Sequence, residues 1–86
     1  MIRIVKVRGE SMLPTLAEGD FLVVGRRYRT LKVGDLVLLN HAKYPQMVKR
    51  IRYISAEGRF LVEGDSPHSL SPEQIGWVNN LSLIHI

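Results

Sequence analysis

Apolar and polar side chains alternate over IRIVKV, residues 2–7, with the period of a half-buried strand. Two short runs rich in Val and Leu follow, FLVVGRR at 21–27 and DLVLLN at 35–40, and each reads as a core strand. QMVKRIRYI at 46–54 and RFLVEG at 59–64 flank SAEG, a four-residue connection ending in Gly58, which is the pattern of a β-hairpin. Residues 76–86 supply a last strand. Turn signals fall at EGD (18–20), VGD (33–35), EGD (63–65) and SPHSLSP (66–72), and no segment longer than about one turn carries a helical period. The pattern predicts an all-β fold, a small folded sheet or partly open barrel.

Chain length and composition narrow this picture. The 86 residues hold one modest core, and no linker or low-complexity tract divides them, so a single domain over 1–86 is expected. Hydrophobic residues at 45% and charged residues at 23% place the chain among globular proteins and away from disorder. The absence of cysteine excludes disulfides, thiolate metal sites and a cysteine nucleophile, and it fits a reducing cytoplasm. No run approaches the ~18 apolar residues of a membrane span, and the N-terminal stretch lacks a signal-peptide core, so a soluble cytoplasmic protein is expected. The net charge of +4 includes Arg26, Arg27, Arg29, Lys32, Lys49, Arg50 and Arg52. Such a face attracts nucleic acid or an anionic membrane surface, but a solvated basic surface is the commoner reading.

Two residues carry candidate chemistry. Ser11 lies in GESMLPTL, residues 9–16, directly after the first predicted strand, where a strand end presents a hydroxyl. Taken alone, such a serine reads as a turn or helix-cap residue. Lys49 rests on periodicity: in a strand over 46–54, Met47, Lys49, Ile51 and Tyr53 share one face, and Val48, Arg50, Arg52 and Ile54 the other. A lysine in that apolar row loses hydration, which favours the neutral amine and lowers its pKa. Taken alone, a strand lysine packs its stem and lifts its ammonium into water.

The ordered set of segments resembles the type I signal peptidase and repressor-protease superfamily of Ser-Lys proteases. GESMLPTL, AEGDFLVV (17–24), VGDLV (33–37), MVKRI (47–51) and EGDSPHSLSPEQIGWV (63–78) carry the resemblance over nearly the whole chain. It implies a serine endopeptidase with the catalytic core of a signal peptidase, in which Ser11 attacks the scissile carbonyl and Lys49 is the general base. It further implies the Ser11 N–H as an oxyanion donor, Met12 as the wall beside it, Ser69 as the hydroxyl that orients the lysine, and Asp65 as support for the surrounding loop. The implied substrate is an extended segment of a precursor protein, added as a strand, with small residues before the cut. The cleft walls would come from residues 4–7, Met12, Leu13 and the strand around Lys49. No cofactor or metal is implied, and His41, His68 and His85 lack paired ligand spacing.

The sequence departs from the family pattern in several places. Gly9 stands where some members carry a second oxyanion hydroxyl, and Ser71 and Glu73 stand where an Asp–Arg ion pair is usual. The resemblance brings in neither the family's anchor nor its long insertion, so the catalytic core alone is expected, similar in length to the small soluble members that mature nickel-type superoxide dismutase. Removal of an N-terminal extension from a precursor is therefore the expected role, with peripheral membrane contact still open. Ten residues precede Ser11 without an Ala-Gly or Cys-Gly pair, so self-cleavage in cis is not expected. Trp77 reads as a core or sheet-closing side chain. The rival reading is a non-catalytic β-domain that binds a peptide, a partner or nucleic acid.

Overall fold

A computed structural model of the chain describes residues 2–25, 30–44, 46–67, 71–79 and 82–86. The elements are β1 (Ile2–Lys6), β2 (Phe21–Gly25), β3 (Leu36–Leu39), β4 (Met47–Ile54), β5 (Phe60–Glu63), the single helical turn α1 (Pro72–Ile75) and β6 (Leu83–His85). β1 and β2 form an antiparallel ribbon, and the other strands form an antiparallel sheet in the order β5-β4-β3-β6. The two sheets do not close into a barrel. The expected hairpin forms at 55–58, where Gly58, at φ 81°, takes the left-handed conformation that a Cβ would strain.

Alternation along β3 divides the interior in two. Val37 and Leu39 face a larger core with Ile51, Phe60, Val62 and Ile75, whereas Leu38 faces a smaller one with Met12 and Val48. The ribbon covers the smaller core through Val5 and Leu22, which stand opposite each other, and turns Ile4, Phe21 and Val23 to solvent. Both faces of β3 are therefore covered. This is why β3 reads as a continuous apolar run rather than an alternating one.

The face assignment along β4 needs one correction. The register shifts between Ile51, opposite Val62, and Tyr53, opposite Leu61, so Arg52 is the extra residue of a β-bulge. Alternation flips beyond it. Tyr53 leaves the row of Met47, Lys49 and Ile51 and becomes exposed, while Ile54 packs on the larger core. Tyr53 meets Trp77 edge to face, with ring centroids 5.7 Å apart. Trp77 is thus a surface residue, 47% exposed, and the buried position beside it goes to Val78.

The expected last strand forms in two pieces. Val78 makes an isolated bridge to Phe60, with backbone bonds of 2.8 and 2.9 Å, and β6 begins only at Leu83. Ser71 is the N-cap of α1: its hydroxyl accepts from the Gln74 N–H, and its own N–H donates to Gln74 Oε1 at 2.9 Å. Ser71 and Gln74 therefore form a capping box around Pro72, and a role in helix initiation occupies the place where an ion pair is usual in the family. His41 braces α1. The Lys43 N–H donates to its Nδ1, which leaves Nε2–H to donate to the Ile75 carbonyl at 3.0 Å.

Candidate active site

The segment between β1 and β2 carries Ser11 and is shaped by backbone bonds. The Val7 N–H donates to Asp20 and the Gly19 N–H to Val7, which pins the two ends of the loop together. Gly9, at φ 76°, turns the chain out of β1 through a conformation that side chains with a Cβ rarely adopt. Within the loop, Leu13 N–H donates to Glu10 and Leu16 N–H to Met12. Met12 is 1% exposed and packs with Leu38 and Val48, so it anchors the loop to the smaller core. Ser11, one residue before that anchor, is held half-buried at the sheet surface. Among the described residues no hydrogen bond engages the Ser11 N–H.

Ser11 and Met12 line a cleft of about 470 Å³ together with Ile4–Arg8 of the β1 edge, Leu38, Gln46, Met47 and Val48. No residue of β2 contributes, so the cleft lies along the other edge of β1. Since both the N–H and the C=O of Val7 point toward the β2 side, the main-chain groups of Ile4 and Lys6 point the opposite way, toward the cleft. An edge of this kind accepts an added strand. The walls agree with the sequence reading at residues 4–7, Met12 and β4. Leu13, however, is not part of the lining, which includes Leu38.

Lys49 is buried on β4, 1% exposed, directly opposite Val37. Burial lowers its pKa from the ordinary lysine value, and the charge of Glu63 opposes that shift. The ladder places Lys49 on the same face as Met47 and Ile51, toward the larger core, and of β4 it is Met47 and Val48, not Lys49, that line the cleft. Among the described residues no hydrogen bond joins Ser11 to Lys49.

Asp65 sits at the end of β5 and collects four donors. Arg50 grips it with two bonds of 2.9 Å, Arg52 adds one of 3.1 Å, and the Thr15 hydroxyl donates to Oδ2. The Arg50 fork, followed by Thr15 and Arg52, holds the carboxyl down at about 2. Arg50 also reaches the Gly34 carbonyl at 2.8 Å. Next to Asp65, the Ser66 N–H donates to the Ser11 carbonyl at 2.8 Å. Asp65 therefore meets the Ser11 loop through Thr15, and among the described residues it makes no hydrogen bond to Ser11. Ser69 lies outside the described residues.

Sequence reasoning missed Thr15, Arg50 and Ser66 as parts of this site. The available signal was their place in the segments that carry the resemblance, Thr15 in GESMLPTL, Arg50 beside Lys49 in MVKRI and Ser66 beside Asp65. The partners converge through tertiary contacts that no spacing encodes.

A family model described as Peptidase S24-like matches residues 2–83. The chain belongs to the Peptidase S24-like family. No match was found among curated proteins or solved structures. Membership makes a serine peptidase or a repressor-type domain the class in which the cleft is read, and the match spans the Ser11 loop, β4 and the segment through β5 and α1 together. It is a match to the family as a whole and does not single out a maturation branch. Among the described residues no helix is long and apolar enough to cross a membrane.

Proposed function

We propose that this Peptidase S24-like chain is a serine endopeptidase in which Ser11 is the nucleophile and Lys49 the general base. The observation that carries the reading is Lys49 itself: a lysine buried in an apolar strand row with a lowered pKa, on the strand whose preceding residues wall the cleft that Ser11 lines. An isolated buried ammonium is costly, and a neutral amine in that place is a base. In the reaction Lys49 takes the Ser11 hydroxyl proton as Ser11 attacks the peptide carbonyl, then returns it to the leaving amine. The Ser11 N–H donates to the developing oxyanion. The Lys49 amine has to close on Ser11 in the bound state, and catalytic hydrogen bonds often tighten only when substrate is present.

The substrate is an extended segment of a precursor protein laid against the edge of β1, with small residues before the cut. Orientation of the lysine by Ser69 and processing of an N-terminal extension belong to the same proposal. The test is cleavage of an extended-peptide library by wild type, Ser11→Ala and Lys49→Ala, with circular dichroism as the check on folding. Each variant is expected to lose at least ~10³-fold in kcat, and wild-type activity to rise with pH as Lys49 deprotonates. Unchanged cleavage by both variants, no cleavage by wild type, or an acid optimum overturns the proposal.

One observation favours a second reading. Lys49 does not line the cleft, so the same β1 edge fits a non-catalytic domain that captures an extended peptide. In that case wild type, Ser11→Ala and Lys49→Ala bind the library peptides alike and none cleaves them.

A further inference from the structure

The loop that carries Ser11 contains no strand or helix to set its height above the sheet. Besides Met12 and Leu16, which pack on the smaller core, the described residues after β5 reach it through bonds from two adjacent positions. The Ser66 N–H holds the Ser11 carbonyl at 2.8 Å, and the Asp65 carboxylate accepts the Thr15 hydroxyl. Asp65 is itself immobilised. Both of its oxygens are engaged by Arg50, Oδ1 also receives Arg52, and the side chain is only 11% exposed. A fork of this kind fixes a carboxylate in direction as well as distance.

Arg50 is the residue after Lys49 on β4, and Thr15 lies four residues after Ser11. The chain of contacts Thr15–Asp65–Arg50 therefore spans from the nucleophile's loop to the strand of the base. An ionised Asp65 is an acceptor only, so the Thr15 hydroxyl must donate, and a bond to a charged acceptor is stronger than a neutral one. Thr15 is β-branched, which leaves its hydroxyl few rotamers through which to drift from the carboxylate. Thr15 itself is exposed, so its contribution comes from this one bond and not from burial.

We infer that Thr15 is a positioning residue for the nucleophile: its hydroxyl, clamped to the Arg50–Asp65 pair, sets the placement of the Ser11 loop relative to the strand carrying Lys49. The inference rests on the assignment of Ser11 and Lys49 proposed above. Its geometric part stands apart from that assignment, because the Ser66–Ser11 bond reports on the loop whether or not the site is catalytic.

The experiment compares Thr15→Val and Thr15→Ser with wild type by amide hydrogen exchange and by steady-state cleavage of a library peptide. In Thr15→Val the Ser66 amide is expected to exchange about tenfold faster while the β4 core amide of Ile51 is unchanged, and kcat to fall about tenfold with KM within about twofold. Thr15→Ser, which keeps the hydroxyl, is expected to restore both. Unchanged Ser66 exchange in Thr15→Val overturns the latch. An unchanged kcat, or a Thr15→Ser variant as slow as Thr15→Val, overturns the positioning role. The nucleophile assignment fails by a different result, cleavage that persists in Ser11→Ala, and the Ser66 amide then still decides the latch.

Discussion

Lys49 stands directly opposite Val37 in the β3–β4 ladder, so a lysine and a fully buried valine form one cross-strand pair. Neighbouring side chains in a non-polar layer give an ammonium little in place of water, and the folded amine titrates below the ordinary lysine value of 10.5.

That pair predicts an inverted pH dependence of stability. With the folded pKa depressed, the unfolded chain binds the extra proton, and stability rises with pH from the folded value of Lys49 up to 10.5. Lys49→Met removes the penalty. Chemical denaturation at neutral pH is expected to show the variant more stable than wild type by about 1–2 kcal/mol, with the gap closing as pH approaches 10.5. A variant less stable than wild type at neutral pH would show that the amine is well solvated.

Asp65 predicts the opposite limb. Its carboxyl is lowered from 3.8 to about 2, so its contribution is complete above about pH 4 and is lost as pH falls through about 2. The shift corresponds to about 2 kcal/mol. Asp65→Asn is expected to lower stability by at least that amount at neutral pH, and acid titration of wild type to show a loss below about pH 4 that the variant lacks. Parallel acid curves for the two proteins would exclude Asp65 as the source.

Gly9 is the backbone hinge of the Ser11 loop, and its φ of 76° is strained for any residue with a Cβ although no atom crowds the position. Gly9→Ala is expected to cost about 1 kcal/mol in chemical denaturation. Gly9→Ser, which would add the second oxyanion hydroxyl seen in some family members, carries the same backbone cost. Neither variant losing stability would mean that the loop relaxes away from this turn.

Met12 is expected to be the most sensitive apolar residue of the site. It fills the smaller core between Leu38 and Val48, and Met12→Ala is expected to destabilise by about 3 kcal/mol through the cavity it leaves. Met12→Leu, nearly equal in volume, is expected to cost less than about 1.5 kcal/mol. Equal losses for the two variants would point to something other than packing.

The all-β class, the five strands before residue 65, the 55–58 hairpin and the place of Lys49 in an apolar row were legible from periodicity, because each depends on a local pattern of apolar side chains and turn residues. The bulge at Arg52 was not. Period-2 reasoning has no place for an extra residue, and it sent Tyr53 inward when the ladder sends it to Trp77. Trp77 itself went to the surface because the bridge from Val78 to Phe60 claims the interior. Asp65 shows the same division: its sequence carries only a Gly-Asp turn, while its meeting with Thr15, 50 residues away, and with Arg50 and Arg52 across β4 exists only once three segments pack together. Periodicity is a property of neighbours along the chain, and it sorted side chains into buried and exposed. The side of the sheet that each buried group faces, and the distant group it meets there, came from strand register and loop packing, which are decided between segments.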